Sequence, residues 1–340
     1  MMNVALGVLL WYVITKFGVI ANLYFTYFAI SSIACLLIPF GSNNHLANQN
    51  HLKLNYLIKG SYIIVFISIL FSFQFLLSLP FIVALTFTLF LERLLLSYYI
   101  KIGNADLFYI RIVLGRLLSL ISVLYFSYTG NISLHMIIIA EIFARMIAVP
   151  WRVGVQIPNF QWTNTVGSFI GGVCIWSPVI WHGDSDPQDL FIARLVISIQ
   201  GLASVFYLSR PALEAVSVMQ GKSGLIKDHH QLLLLLTVLS ATPVLGVILA
   251  TLGVISFAPP SYIIIYMSFC LWLFSWHGAL IIRNHSNKRE FKLNFAMLLT
   301  LIPILLIPIQ VQFKVFIMTT FWHIYVFIIY VHSKYRREEE

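Results

Sequence analysis

The stretch that decides the fold runs from Ser61 to Leu79, reads SYIIVFISILFSFQFLLSL and contains no charged side chain. Similar apolar runs recur at Met136–Val149, Gln231–Phe257 and Phe291–Ile309. Apolar residues make up 60% of the chain and charged residues 10%, which is typical of a helical membrane protein rather than a soluble domain. Because the bilayer centre offers no water to backbone groups, each run is predicted to form a helix.

Turn residues and charges divide the chain into twelve predicted transmembrane spans. The first six are 1–15, 19–40, 56–78, 80–100, 107–128 and 134–150. The second six are 165–182, 189–209, 231–257, 261–282, 292–311 and 314–333. The predicted fold is therefore all-α, with an N-terminal lobe over 1–150, a cytoplasmic connection over 151–164 and a C-terminal lobe with a basic tail over 165–340.

The distribution of basic residues predicts the orientation of these spans. One set of alternate connections holds nearly all of the lysines and arginines outside the spans, including Lys101, Arg152 and the tail. The other set holds only Lys16 and Lys314, and its longest loop is the acidic Trp181–Asp189. The positive-inside rule places the basic connections and both termini in the cytoplasm. The net charge of +9 is explained by this topology, so no nucleic-acid partner is predicted.

Several other patterns point to structure rather than chemistry. Cys35, Cys174 and Cys270 lie singly in apolar runs and are predicted to be buried hydrophobic residues. Asp184-Ser-Asp186 resembles a DxD metal site, but its position in a short turn favours an acidic outer loop. The chain contains no nucleophile–base arrangement, Walker loop or HExxH motif, so no enzyme activity and no cofactor are predicted.

Charged residues inside the spans are the strongest candidates for function, because ionisable groups in a membrane are expensive. In the first half these residues are Glu92, Arg93, Arg111, Arg116, Glu141 and Arg145. If spans four and five turn near Gly103, Glu92 and Arg116 lie at a similar depth, near the bilayer midplane. Glu141 and Arg145 are four residues apart and share a helix face.

Two interpretations of these charges remain open. In the first, they line a net-positive cavity in which Arg116 and Arg145 bind an anionic head group and Glu92 and Glu141 balance the charge. In the second, Glu92–Arg116 and Glu141–Arg145 are neutral buried pairs that hold the helices together. Arg111 is a further binding candidate that lies closer to the cytoplasmic end, where its side chain can also snorkel.

The second half contains few charges within its spans. Arg194 lies a short distance into span eight, near Asp189. Ligand contact and a local ion pair at the outer face explain this arginine about equally well. His277 and His323 lie among aromatic residues and are interpreted as packing histidines, although an imidazole can also take part in proton transfer.

The sequence from Phe191 onward resembles the polysaccharide flippases of the multidrug/oligosaccharidyl-lipid/polysaccharide exporter superfamily. The similar stretches are Phe191–Ile199, Phe206–Glu214, Gln220–Ser223 and Leu233–Pro243. This resemblance implies two six-helix lobes around a central cavity that opens alternately to either side. It also implies a polyprenyl-diphosphate-linked oligosaccharide of O-antigen or capsule type as the substrate, held by Arg116, Arg145 and Arg194.

The resemblance also implies a multi-pass protein of the bacterial cytoplasmic membrane that works in surface polysaccharide biosynthesis. Its expected partners are the lipid-linked oligosaccharide, membrane lipids, and the polymerase and glycosyltransferases of the same process. The sequence does not decide between protons and sodium ions as a coupling ion. The alternatives are a membrane polysaccharide polymerase or ligase, which usually needs a large outer loop, and a drug or cation exporter of the same superfamily.

Overall fold

The computed structural model describes residues 2–38, 55–75, 78–101, 105–147, 162–209, 264–265 and 287–321. Within these ranges the secondary structure is entirely helical and contains no strand. The helices are α1 Met2–Thr15, α2 Val19–Leu37, α3 Asn55–Phe75, α4 Ser78–Lys101, α5 Ala105–Tyr128, α6 Leu134–Ile147, α7 Trp162–Trp181, α8 Pro187–Ser209, α9 Asn287–Leu306 and α10 Val311–Phe321. The prediction of an all-α protein is confirmed for these residues.

The observed helices follow the predicted spans closely in the first half of the chain. The main differences are at the ends: α2 ends at Leu37 rather than at residue 40, and α9 includes Asn287, five residues before the predicted start at residue 292. The predicted spans 231–257 and 261–282 lie outside the described residues, apart from the helical pair 264–265. The arrangement of twelve spans remains a prediction.

Glycines lie in two of the turns between helices, and short polar side chains cap the N-termini of two helices. Gly18 and Gly130 have φ angles of 54° and 70°, a region that glycine adopts without strain, and both lie in turns between helices. Before α6, the Ser133 hydroxyl accepts a hydrogen bond from the Met136 amide. Before α8, the Asp186 carboxylate accepts one from the Gln188 amide at 2.7 Å, so half of the Asp-Ser-Asp motif serves as a helix cap.

Two described helices are long and apolar enough to cross a membrane, Val19–Leu37 and Ile110–Tyr128. Length and composition alone do not separate such helices from the core helices of soluble proteins. The two segments differ in packing, because half of the window in α2 is buried within the protein but only 28% of that in α5. The outward face of α5 is strongly apolar and includes Ile110, Leu114, Leu118, Ile121 and Tyr125.

The chain forms two compact units, Met1–Phe191 and Ile192–Glu340. In the first unit α7 packs against α2, where the Phe28 and Trp176 rings lie 5.9 Å apart and the Asn22 amide donates to the Ser185 carbonyl at 2.8 Å. The sequence instead assigns α7 to the C-terminal lobe, and the proposed connection at 151–164 lies outside the described residues. The six-plus-six division therefore remains a prediction.

In the second unit, α9 and α10 are joined by a short turn and a buried lysine. The Lys314 ammonium group donates a hydrogen bond of 2.7 Å to the Leu305 carbonyl, in the last turn of α9. A cation at a helix C-terminus is stabilised by the helix dipole and satisfies a carbonyl that the helix leaves open. Lys314, which the sequence places in an outward-facing connection, therefore has a structural contact here.

Candidate functional site

The candidate site is built on an unusually close contact between α5 and α6. Gly115 of α5 lies against the backbone of α6, and a Cβ atom at this position would overlap the carbonyl oxygen of Ala144. Only a residue without a side chain allows the two backbones to approach in this way. The contact places Arg116, next to Gly115, beside Glu141 and Arg145, which flank Ala144 on α6.

Four charged side chains meet at this contact, and we call them the Arg–Glu cluster: Glu92, Arg116, Glu141 and Arg145. Arg116 Nη1 lies 2.8 Å from Glu141 Oε1. Arg145 donates to the same oxygen from Nη2 at 2.6 Å and from Nε at 3.0 Å. Arg145 Nη1 also forms an ion pair with Glu92 Oε2. The cluster is thus a continuous network across α4, α5 and α6.

A hydroxyl and two aromatic rings complete the surroundings of the Arg–Glu cluster. The Ser119 hydroxyl, one turn beyond Arg116, donates to Glu141 Oε2 at 3.3 Å. The Arg116 guanidinium lies 6.0 Å from the centre of the Trp11 ring on α1, and that of Arg145 lies 5.5 Å from the Phe28 ring on α2. Aromatic faces attract cations at such distances. Side chains from five helices therefore contribute to the site.

The cluster is buried and leaves little free space. The exposed fraction of the side chain is 1% for Glu141, 6% for Arg145, 11% for Arg116 and 20% for Glu92. The cavity between them is also lined by Ile112, Gly115 and Ala144. The centre of a water molecule can occupy a volume of about 10 Å³ in this cavity. That volume accommodates roughly one water. The site described here is therefore closed around its own ion pairs.

Two arginines and two glutamates give the cluster a formal charge of zero. A buried ion network of this kind compensates the desolvation of each charge, and removing one member leaves another uncompensated. The net-positive cavity predicted from the sequence also counted Arg93 and Arg111, which are not members of this cluster. The ion pairs fit the interpretation as buried pairs, although they are shared rather than separate, and ligand binding by these residues stays a prediction.

Four of the candidates from the sequence converge, but their pairing differs in part from the expectation. Glu92 and Arg116 line the same cavity, yet Glu92 pairs with Arg145, and Arg116 pairs with Glu141. The expected contact between Glu141 and Arg145 is present. The sequence predicted that Glu92 and Arg116 lie at a similar depth. It did not predict the rotation of each helix about its axis, which determines the direction of each side chain.

The remaining arginine candidates lie outside the Arg–Glu cluster. Arg111, a little more than one turn before Arg116 on α5, is half-buried and does not line the cavity. Arg194 is 1% exposed in α8 and belongs to the second compact unit. The side chain of Arg93 is not among those that the structure describes. In the described ranges no group of three or more His, Cys, Asp or Glu residues is arranged to hold a metal ion, and Asp184 and Asp186 form no such group.

Gly115, Ser119, Trp11 and Phe28 were not recognised as part of the site from the sequence. Gly115 offered a weak signal, because it directly precedes a candidate arginine within an apolar helix. Trp11 and Phe28 offered none, since the chain is rich in aromatic residues and their contacts depend on how α1 and α2 pack.

No protein family, curated protein or solved structure that was compared with the chain matches it. The resemblance to polysaccharide flippases therefore stands on the residues quoted above.

Proposed function

We propose that this protein is a membrane transporter that moves a polyprenyl-diphosphate-linked oligosaccharide across the cytoplasmic membrane by alternating access. The observation that carries the proposal is the convergence of Arg145, which is buried, and Arg116, which is mostly buried, on one small cavity between apolar helices. Two guanidinium groups facing one point form a suitable site for phosphate oxygens, because each presents a planar fork of donors.

The physical problem in such transport is the diphosphate. Moving an anion into hydrocarbon without compensating charge costs a large free energy, whereas the apolar polyprenyl chain is soluble in hydrocarbon. Arginines within the helix bundle would provide that charge while the lipid chain stays in the bilayer. In the closed site Glu92 and Glu141 keep the arginines neutralised when no substrate is present.

The apolar exteriors of the helices support a membrane location. The outward face of α5 carries large, exposed apolar side chains along the described length of the helix. Lipid chains cover a face of this composition without cost. The cytoplasmic position of both termini and of the connections Gln220–His230 and Arg283–Lys292 is part of the proposal and is based on the distribution of lysine and arginine.

A drug or cation exporter is a second candidate, because two carboxylates lie beside the arginines in the cluster. The Arg–Glu cluster contains as many carboxylates as guanidinium groups, so it does not favour an anion by net charge. The two candidates make different demands on the residues, because a cation exporter depends on Glu92 and Glu141 and a diphosphate transporter depends on the arginines. For a polymerase or ligase, the described site offers one hydroxyl beside a carboxylate, Ser119 next to Glu141, but that carboxylate is already engaged by two arginines.

The proposal is tested in cells whose surface polymer depends on this protein. We suggest the double substitution Arg116→Gln with Glu141→Gln, because it removes a guanidinium group while keeping the cluster neutral. The expected result is loss of surface polysaccharide, with lipid-linked repeat units retained on the cytoplasmic side and normal protein abundance. Lys59→Ala, at an exposed lysine of α3, is the matched control and should have normal output.

Normal polymer from the double variant at normal abundance would contradict the proposal. If the double variant is poorly produced, Arg116→Lys tests the same point. It keeps the charge but loses the planar fork of donors, so the expected result is reduced transport at normal abundance. Transport that depends on Glu92 and Glu141 but not on either arginine would favour the cation exporter.

A further inference from the structure

One oxygen atom of the Arg–Glu cluster accepts hydrogen bonds from both of its arginines. Glu141 Oε1 accepts three N–H groups, one from Arg116 and two from Arg145, at 2.6 to 3.0 Å. These are lengths typical of strong, charge-assisted hydrogen bonds. A single oxygen that bridges two guanidinium groups occupies the position that a phosphate oxygen takes when two arginines bind a phosphate.

We propose that Glu141 is an internal counter-anion that determines substrate specificity: it fills the phosphate position of the site and yields only to an anion with several oxygens. The proposal deepens the proposed function and rests on it for the identity of the natural substrate. The anion-binding part of the proposal stands on the geometry of the cluster alone.

The first step of the argument is that Glu141 and an anionic ligand exclude each other. The free space in the cavity is about that of one water molecule, so a phosphate group does not fit beside the carboxylate. A ligand reaches both arginines only if the Glu141 side chain moves away. Binding affinity is then reduced by the free energy of the contacts that Glu141 gives up.

The second step is that the displaced contacts set a minimum requirement for the ligand. Arg145 is bound by both Glu141 and Glu92, and Arg116 is bound by Glu141. A ligand with one acceptor, such as chloride, leaves several donors unpaired in a buried site, which is costly. A diphosphate offers enough oxygens to replace all of these contacts. The site therefore discriminates against anions such as chloride, because they do not replace all the hydrogen bonds that Glu141 makes to the two arginines.

The third step concerns how Glu141 is held and where a ligand can enter. Ser119 donates to Glu141 Oε2 and so fixes the second oxygen of the carboxylate. Glu92 is the most exposed member of the cluster and contacts only Arg145 within it. The geometry therefore gives the two glutamates different roles: Glu141 occupies the site, and Glu92 borders its more open side.

The test measures anion binding to the purified full-length protein in detergent, with inorganic pyrophosphate, orthophosphate and chloride as probes. In Glu141→Gln, pyrophosphate affinity is expected to rise about tenfold, corresponding to roughly 1.4 kcal/mol. The preference for pyrophosphate over chloride should decrease at the same time. Asp184→Asn is the matched control, because it makes the same chemical change at an exposed carboxylate outside the cluster.

Pyrophosphate affinity in Glu141→Gln no higher than in Asp184→Asn would overturn the inference. If Glu141→Gln does not fold, Ser119→Ala provides the test, since it loosens Glu141 without changing any charge. It should raise pyrophosphate affinity by a few-fold, and unchanged affinity in the folded variant would contradict the inference.

The two proposals can fail separately. If pyrophosphate binding responds to Glu141 as expected but the wild-type protein does not sustain surface polymer, the counter-anion stands and the flippase proposal falls. If polymer export depends on the arginines and pyrophosphate binding is indifferent to Glu141, the flippase proposal stands and the counter-anion falls.

Discussion

Two helix pairs in the molecule, α5 with α6 and α2 with α7, each have a glycine at the point of contact. The interactions that surround the glycine differ between the two pairs. At Gly115 the neighbour is a backbone carbonyl, and the surrounding contacts are ion pairs among Arg116, Glu141 and Arg145. At Gly172 the neighbour is the end of the Leu36 side chain, and nearby contacts are aromatic.

The comparison separates a contact that a ligand can rearrange from one that it cannot. Ion pairs can be exchanged for other charged partners, so an anion can compete for Arg116 and Arg145. The packing of Phe28 against Trp176 has no such competitor and depends on the apolar area that it buries. We therefore expect the charged contact to respond to ligands and the aromatic contact to hold its geometry.

The largest effect should come from breaking the charged contact at Arg145. Arg145→Ala leaves both Glu141 and Glu92 without their shared cation, and losing one partner of a buried pair costs about 3–5 kcal/mol. Thermal unfolding in detergent should show this loss. Arg116→Ala should cost less, because Arg116 contacts one carboxylate and is more exposed. Stability of Arg145→Ala equal to that of Lys59→Ala would show that the network contributes nothing.

A smaller effect should separate the two glycines. Gly115→Ala forces a methyl group against the Ala144 carbonyl, and overpacking of this kind costs about 1–3 kcal/mol. Gly172→Ala meets only the tip of Leu36, which can rotate away, so we expect a loss below about 1 kcal/mol. Gly60→Ala in α3, where the added methyl group meets open space, is the control. An equal or larger loss at Gly172 would reverse the comparison.

The smallest effect should come from the hydroxyl that supports Glu141. Ser119→Ala removes one long hydrogen bond and should lower the free energy of unfolding by about 0.5–1 kcal/mol. Ser122→Ala, one turn further along α5, is the control, since Ser122 bonds only to the Leu118 carbonyl of its own helix. Equal stability of the two variants would indicate that Ser119 does not anchor the carboxylate.

The helices were predictable because apolar runs and turn residues mark them independently of their neighbours. The errors at the ends have a physical cause. Hydropathy excluded Lys288, Arg289 and Glu290 from the predicted span, yet these residues have good helix propensity and lie in the first turns of α9. The boundary predicted between spans three and four, at residues 78–80, is next to residues 76–77, which lie outside the described residues, and α4 already includes Ser78.

The four charged members of the site were predictable from the sequence, but their pairing and their uncharged neighbours were not. Charge in an apolar helix identified Glu92, Arg116, Glu141 and Arg145, because each needs a partner. The choice of partner depends on the rotation of each helix about its axis and on the distance between α5 and α6. That distance is determined by Gly115 and Ala144, and neither carries a chemical signal that marks it as part of a site.

Phe28 belongs to both of the contacts compared above. Its ring lies 5.5 Å from the Arg145 guanidinium and 5.9 Å from the Trp176 ring, so one side chain touches the charged and the aromatic contact at once. The free-energy effects of substitutions at Arg145 and at Trp176 should therefore not be additive, because each changes the environment of the same ring. We therefore expect the electrostatic state of α6 to be coupled, through Phe28, to the packing of α7.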